Sequence, residues 1–141
     1  MSRALTAPAG AGTVHGVRQL LGIFVAGGLG SLARYLVSGV ALAGASARFP
    51  WGTLAVNVAG CLAIGFLMHL GVVRGRLTPE WRVVLVTGFL GGLTTYSAFA
   101  YETFALGTTG DGARAALNVA VELALGLGAV WLGTTLARAL P

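Results

Sequence analysis

Lysine is absent from this sequence, cysteine occurs once and acidic residues number four, so charged side chains make up only 9% of 141 residues. A soluble domain carries about 25%, and an ordinary water-soluble globule is excluded. Cys61 lies inside an apolar run and can form neither an internal disulfide nor a metal site; it reads as a small core residue. The nine basic residues are arginines set singly or in one short cluster, with no basic helix face. A net charge of +5 therefore does not imply a nucleic-acid partner, and the arginines read as topology signals. No convincing cleavage site follows the first apolar run, and no removable signal peptide is expected.

Apolar residues (56%) and 23 glycines take the place of charge. A hydrocarbon layer roughly 30 Å thick needs about 20 apolar residues per helical span. Runs at 19–44, 53–73, 83–106 and 115–137 qualify, preceded by an Ala/Gly-rich segment, 1–18, expected to be flexible. The fold expected is an all-α membrane protein with four transmembrane helices in one domain. Little chain is left for a catalytic domain, and no enzyme is expected. The connectors Ser46–Trp51, Arg74–Arg82 and Thr108–Arg114 hold the Pro, Gly and Asp of turns, with Trp51 and Trp81 where interfacial aromatics belong.

Ten of the thirteen charged residues fall outside the spans; Arg34, Glu102 and Glu122 lie inside, where a charge costs at least about 3 kcal/mol. Four spans put both termini on one side. That side holds Arg3, Arg18, Arg74, Arg76, Arg82 and Arg138, the other Arg48 and Arg114, which favours cytoplasmic termini. Gly27, Gly28, Gly30, Gly60, Gly65, Gly88, Gly126 and Gly128 fit close helix approach in a bundle.

The third span is unusual. Gly88-Phe89-Leu90-Gly91-Gly92-Leu93-Thr94-Thr95-Tyr96-Ser97-Ala98-Phe99 sets paired glycines and paired threonines near its middle, all poor helix formers. One reading is a break near the midplane, which survives only when buried in protein or lining a wet cavity, and whose freed carbonyls and helix ends can serve an ion. The other is a continuous, glycine-lined crossing with hydroxyls bonded back to carbonyls. Thr53 and Asn57 in span two, and Asn118 and Glu122 in span four, stand four residues apart on one helix face. Both pairs can line one polar track. Arg34 adds fixed positive potential and five donors that draw an anion; interhelical hydrogen bonding is the plainer role for all of them.

Three segments then carry a family resemblance: Gly27-Gly28-Leu29-Gly30-Ser31-Leu32-Ala33-Arg34-Tyr35, Pro50-Trp51-Gly52-Thr53-Leu54-Ala55-Val56-Asn57-Val58-Ala59-Gly60, and the Gly88 to Phe99 run. In order and spacing they resemble the signature segments of the Fluc/CrcB fluoride channels. The resemblance implies an antiparallel dimer with two fluoride paths and a structural sodium ion held by the backbone carbonyls of Gly91 and Thr94 from each copy. It implies that Asn57 donates a hydrogen bond to fluoride and that Tyr96 and Phe99 are the pore aromatics, whose positive ring edges face the stripped anion. Arg34 is then near a pore entrance, Thr53 and Asn118 extend the polar track, and Thr95, Ser97 and Glu102 support it. Fluoride would leave the cytoplasm by passive electrodiffusion, lowering its toxicity, and the protein would be a multi-pass protein of the cell membrane.

Two residues depart from the family pattern. Tyr96 stands where phenylalanine is usual, and Glu122 where a neutral polar residue is usual. Beside an anion path Glu122 is expected to be protonated, paired with an arginine, or turned away; Glu102 is expected to be a satisfied structural group. The uneven arginine count also admits pairing with an oppositely oriented paralogue in place of a homodimer. Other classes of this size are a small proton-coupled multidrug-type exporter, which needs a membrane-embedded acid, usually in the first span, where this chain has Arg34 and only Glu122 could serve instead, and a non-conducting scaffold subunit, which leaves the polar and aromatic set unexplained.

Overall fold

A computed structural model of the chain describes residues 11–41 and 49–141. Helix α1, Ala11–Arg34, runs on through a wider π-type segment, Tyr35–Ala41. Helix α2, Trp51–Met68, continues the same way through His69–Val73. The third span begins as α3, Pro79–Val83, widens over Val84–Leu90, passes through the single turn α4, Gly91–Leu93, and resumes as α5, Tyr96–Thr108; α6 is Gly112–Ala139. Among the described residues four stretches are long and apolar enough to cross a membrane: Gly16–Gly39, Trp51–Val73, Pro79–Thr108 and Gly112–Ala139. The protein is accordingly an all-α, multi-pass membrane protein.

Residues 1–10 of the segment expected to be flexible lie outside the described residues, but 11–18 are already helical. The helix thus begins ahead of the apolar run. Residues Ser46 to Arg48 of the first connector also lie outside the described residues.

Local chemistry sets the other ends. Thr78 caps α3 by accepting from the Trp81 N–H at 3.4 Å, with Pro79 at the first helical position, where its missing N–H costs nothing. Asp111 caps α6 by accepting from the Arg114 N–H at 3.3 Å, and its carboxylate also pairs with the Arg114 guanidinium. Gly75 and Gly110 reverse the chain between spans at φ of 61° and 86°, conformations an L side chain rarely adopts.

Span one packs on the first half of span three, and α2 packs on α6, which also meets α5. Glycine permits both close crossings. A methyl on Gly30 would strike the Phe89 carbonyl, and one on Gly92 the Gly27 carbonyl. Likewise, a methyl on Gly65 would strike the Val130 carbonyl, and one on Gly133 the Leu62 carbonyl. The interior is therefore small and partly polar, with Ala129, Ala137, Thr53 and Asn118 buried, while Phe24, Phe104, Leu127 and Trp131 face outward. That pattern suits a bundle whose surrounding solvent is lipid, where packing of small residues replaces an oily core.

Candidate functional site

The site grows from the interruption of span three, about midway along Pro79–Thr108. Thr94 (φ −85°, ψ 155°) and Thr95 (φ −151°, ψ 109°) are both extended between α4 and α5. The two sequence readings meet here: the Thr94 hydroxyl does bond back to the Leu90 carbonyl at 2.9 Å, yet the helix does not continue.

An interruption at this depth leaves backbone groups to satisfy, and side chains take them up. The Thr95 N–H, which an unbroken helix would aim at the Gly91 carbonyl, donates to Asn57 Oδ1 at 2.8 Å. Asn57 Nδ2 returns a bond to the Thr95 carbonyl at 3.3 Å. The Ala98 N–H, which would have gone to the Thr94 carbonyl, donates to Thr95 Oγ1 at 3.2 Å, making Thr95 the cap of α5. Thr95 Oγ1 also lies 3.2 Å from the Ser97 hydroxyl. The carbonyls from Gly91 to Thr94 thus lose their helical donors; that of Gly92 accepts instead from Arg34, while the donors of Gly91 and Thr94 are taken by the Asn57 and Thr95 side chains.

The remaining polar groups form three pairs in place of one continuous track. Asn57 Nδ2 also donates to Glu122 Oε1 at 3.2 Å. Thr53, buried, donates to Glu102 Oε1 at 2.7 Å, while Glu102 Oε2 is buried with no partner among the described residues. Glu102 is thus satisfied at one oxygen only. Asn118, 1% exposed, donates from Nδ2 to Thr103 Oγ1 at 2.8 Å, and its Oδ1 has no partner among the described residues. Of the three fates expected for Glu122, pairing with an arginine is not seen among the described residues; its partner is the Asn57 amide. Sequence reasoning missed Thr103, whose signal was its distance of eight residues from Thr95, about two helical turns along α5.

Arg34 ends α1 and donates from Nε to the Gly92 carbonyl at 3.1 Å, tying span one to the end of α4. It lines an open cavity of about 760 Å³ with Ser38, Thr53, Thr95, Glu102 and Arg114. The cavity therefore runs from the helix interruption to the Asp111–Arg114 pair at the head of α6. Tyr96 and Phe99, one turn apart, hold their rings 5.7 Å between centroids at 52°, a tilted arrangement that presents ring edges. Tyr96 is 80% exposed in the single chain.

This architecture has relatives. A family model described as CrcB-like protein, Camphor Resistance (CrcB), matches residues 21–134. The chain is 48% identical over 116 residues to a protein of Solibacter usitatus named fluoride-specific ion channel FluC, covering 82% of this chain and 95% of the relative. It is 46% identical over 121 residues to the protein of the same name from Geobacter sulfurreducens, covering 86% and 98%. A third, from Nitratidesulfovibrio vulgaris, is 48% identical over 114 residues, covering 81% and 90%. The match takes in all four spans, the interruption and the side chains held against it, and the chain belongs to the CrcB family.

Proposed function

We propose that this protein is a fluoride channel, not an enzyme, and that it lets cytoplasmic fluoride leave by passive electrodiffusion. One observation carries the reading: Asn57 and the Tyr96–Phe99 ring pair sit at an interruption of an otherwise apolar span, in a chain 48% identical to a fluoride-specific ion channel. Fluoride is small and strongly hydrated. A path for it must replace water with donors and ring edges, yet bind weakly enough at each place to release the ion. Here the donor is Asn57, the ring edges are those of Tyr96 and Phe99, and the hydroxyls of Thr53, Thr95 and Ser97 extend the polar lining. Arg34 sets a fixed positive charge beside the interruption, which draws an anion toward that end of the cavity. Asn118, enclosed with Thr103, braces α6 against α5 beside this path.

The functional unit we infer is an antiparallel pair, of two copies or of this chain and an oppositely oriented paralogue. Tyr96 and Gly91 face outward, and a methyl on Gly91 would meet nothing nearer than the Val86 carbonyl at 3.8 Å. Nothing inside the chain therefore requires glycine at that place. The carbonyls of Gly91 and Thr94 fit a sodium ion, because their helical donors are engaged elsewhere and hard cations take oxygen ligands. Bound there, sodium would supply charge that holds the paired interruptions together.

Fluoride efflux from liposomes carrying the purified protein, followed with a fluoride electrode, tests the proposal. Efflux well above that of protein-free liposomes is expected, with chloride retained. A folded protein giving no excess efflux would remove the channel reading.

A further inference from the structure

We propose that Glu122 is a tethered competitor of the permeating anion, holding the one Asn57 donor that the backbone leaves over. The inference rests on the fluoride-channel reading.

The count of hydrogen bonds at Asn57 leads to it. A carboxamide has one acceptor oxygen and two N–H donors. The oxygen accepts from the Thr95 N–H at 2.8 Å, and one donor is directed at the Thr95 carbonyl at 3.3 Å. These two contacts to one peptide unit already fix which way the amide faces, so no third residue is needed to orient it. The other donor goes to Glu122 Oε1 at 3.2 Å. Asn57 as it stands therefore has no donor free for an anion, and Glu122 occupies the only one that can be vacated without reopening the bond to the interrupted backbone.

Glu122 is suited to exchange. It is half-buried, unlike the enclosed Asn118 one turn before it, and it projects from a different span, so it can swing aside without disturbing the Asn57–Thr95 pair. Its carboxyl oxygen presents the same chemistry to the Asn57 N–H that fluoride does, a compact acceptor. An arriving ion takes the donor as the carboxyl releases it, and the carboxyl reclaims the donor when the ion leaves. No bond is made or broken beyond hydrogen bonds. The consequence is a higher fluoride concentration for half-maximal flux than the same path would show with a short side chain at this position.

The test measures initial fluoride efflux against internal fluoride concentration for the parent and for Glu122→Ser, Glu122→Ala and Glu122→Gln, each reconstituted at equal protein density. Serine and alanine cannot reach Asn57, and the half-saturating concentration is expected to fall about tenfold, the factor set by one hydrogen bond to a charged group. Glutamine keeps an acceptor oxygen at the same reach and is expected to lie between. A merely structural role would change the fraction of active protein, and so the maximal flux, while leaving the half-saturating concentration in place. A parent that conducts, with short variants that saturate at the parent's concentration or higher, would overturn this proposal and leave the channel reading standing. A parent without fluoride efflux would overturn both.

Discussion

Asn57 and Thr95, 38 residues apart in sequence, pair through both sides of one peptide unit: the Thr95 N–H donates to Asn57 Oδ1 at 2.8 Å, and Asn57 Nδ2 donates to the Thr95 carbonyl at 3.3 Å. The side chain does for the interrupted span what the next helical turn would have done. It is at once a structural patch and the donor nearest the proposed ion path.

Replacing Asn57 should therefore affect both properties. Asn57→Asp keeps an acceptor for the Thr95 N–H but removes both donors and adds negative charge beside Glu122. Fluoride efflux is expected to fall at least tenfold while the protein still folds. Asn57→Leu leaves the Thr95 N–H unmet, and a loss of about 1–3 kcal/mol is expected, read as a lower melting temperature in detergent. Efflux at parental rates in Asn57→Asp would show that this amide does not touch the ion.

Glycines at the crossings should differ sharply from those in open space. A methyl on Gly30 would strike the Phe89 carbonyl, whereas one on Gly28 would meet nothing within 4 Å in the single chain. Gly30→Ala is expected to destabilise the fold by about 1–3 kcal/mol through overpacking, and Gly28→Ala to leave it within about 0.5 kcal/mol. Thermal unfolding followed by size-exclusion recovery compares the two directly.

Thr53 is the only hydrogen-bond partner found for the Glu102 carboxyl among the described residues. Thr53→Val preserves shape and removes the donor, and a cost of about 1.5–3 kcal/mol is expected for a bond to a charged acceptor. Thr53→Ser should restore most of it. If valine and serine melt alike, the bond at 2.7 Å carries no net stability.

Tyr96 contributes a ring edge, in our reading, and its hydroxyl is incidental. Tyr96→Phe is expected to conduct within about twofold of the parent, because the tilted pairing with Phe99 at 5.7 Å needs only the rings. Tyr96→Ile, which removes the aromatic edge, is expected to lower efflux about tenfold or more. Equal rates for the two variants would separate the aromatic ring from the ion path.

Orientation in the membrane is open to a direct measurement. Reporters fused to the C-terminus, one active in the cytoplasm and one outside it, should both give signal if the chain inserts both ways and pairs with itself. A cytoplasmic signal alone would match the arginine imbalance, six on one side against two, and call for a paralogue as partner.

The membrane spans were legible in the sequence because hydropathy is a local sum: a run of apolar residues long enough to cross lipid declares itself whatever it packs against. The weak point of span three was legible for the same reason, since paired glycines and paired threonines disfavour a helix by their own backbone and side-chain entropy. Pairings were not. Thr53, Asn57, Asn118 and Glu122 lie on matching helix faces, which suggested a single track, but a helical face has breadth. Only the crossing of spans decided that Asn57 meets Glu122, 65 residues away, that Thr53 meets Glu102, and that Asn118 turns to Thr103. Those crossings are set by glycines that let one backbone touch another, and the residue a glycine will touch is not written beside it. The sequence by itself determined that this chain has four runs able to cross a membrane and that the third is weak near its middle; tertiary structure decided that the helix is interrupted there, which donor is bound and by what, because hydrogen bonds between spans depend on angle and depth that no single span contains.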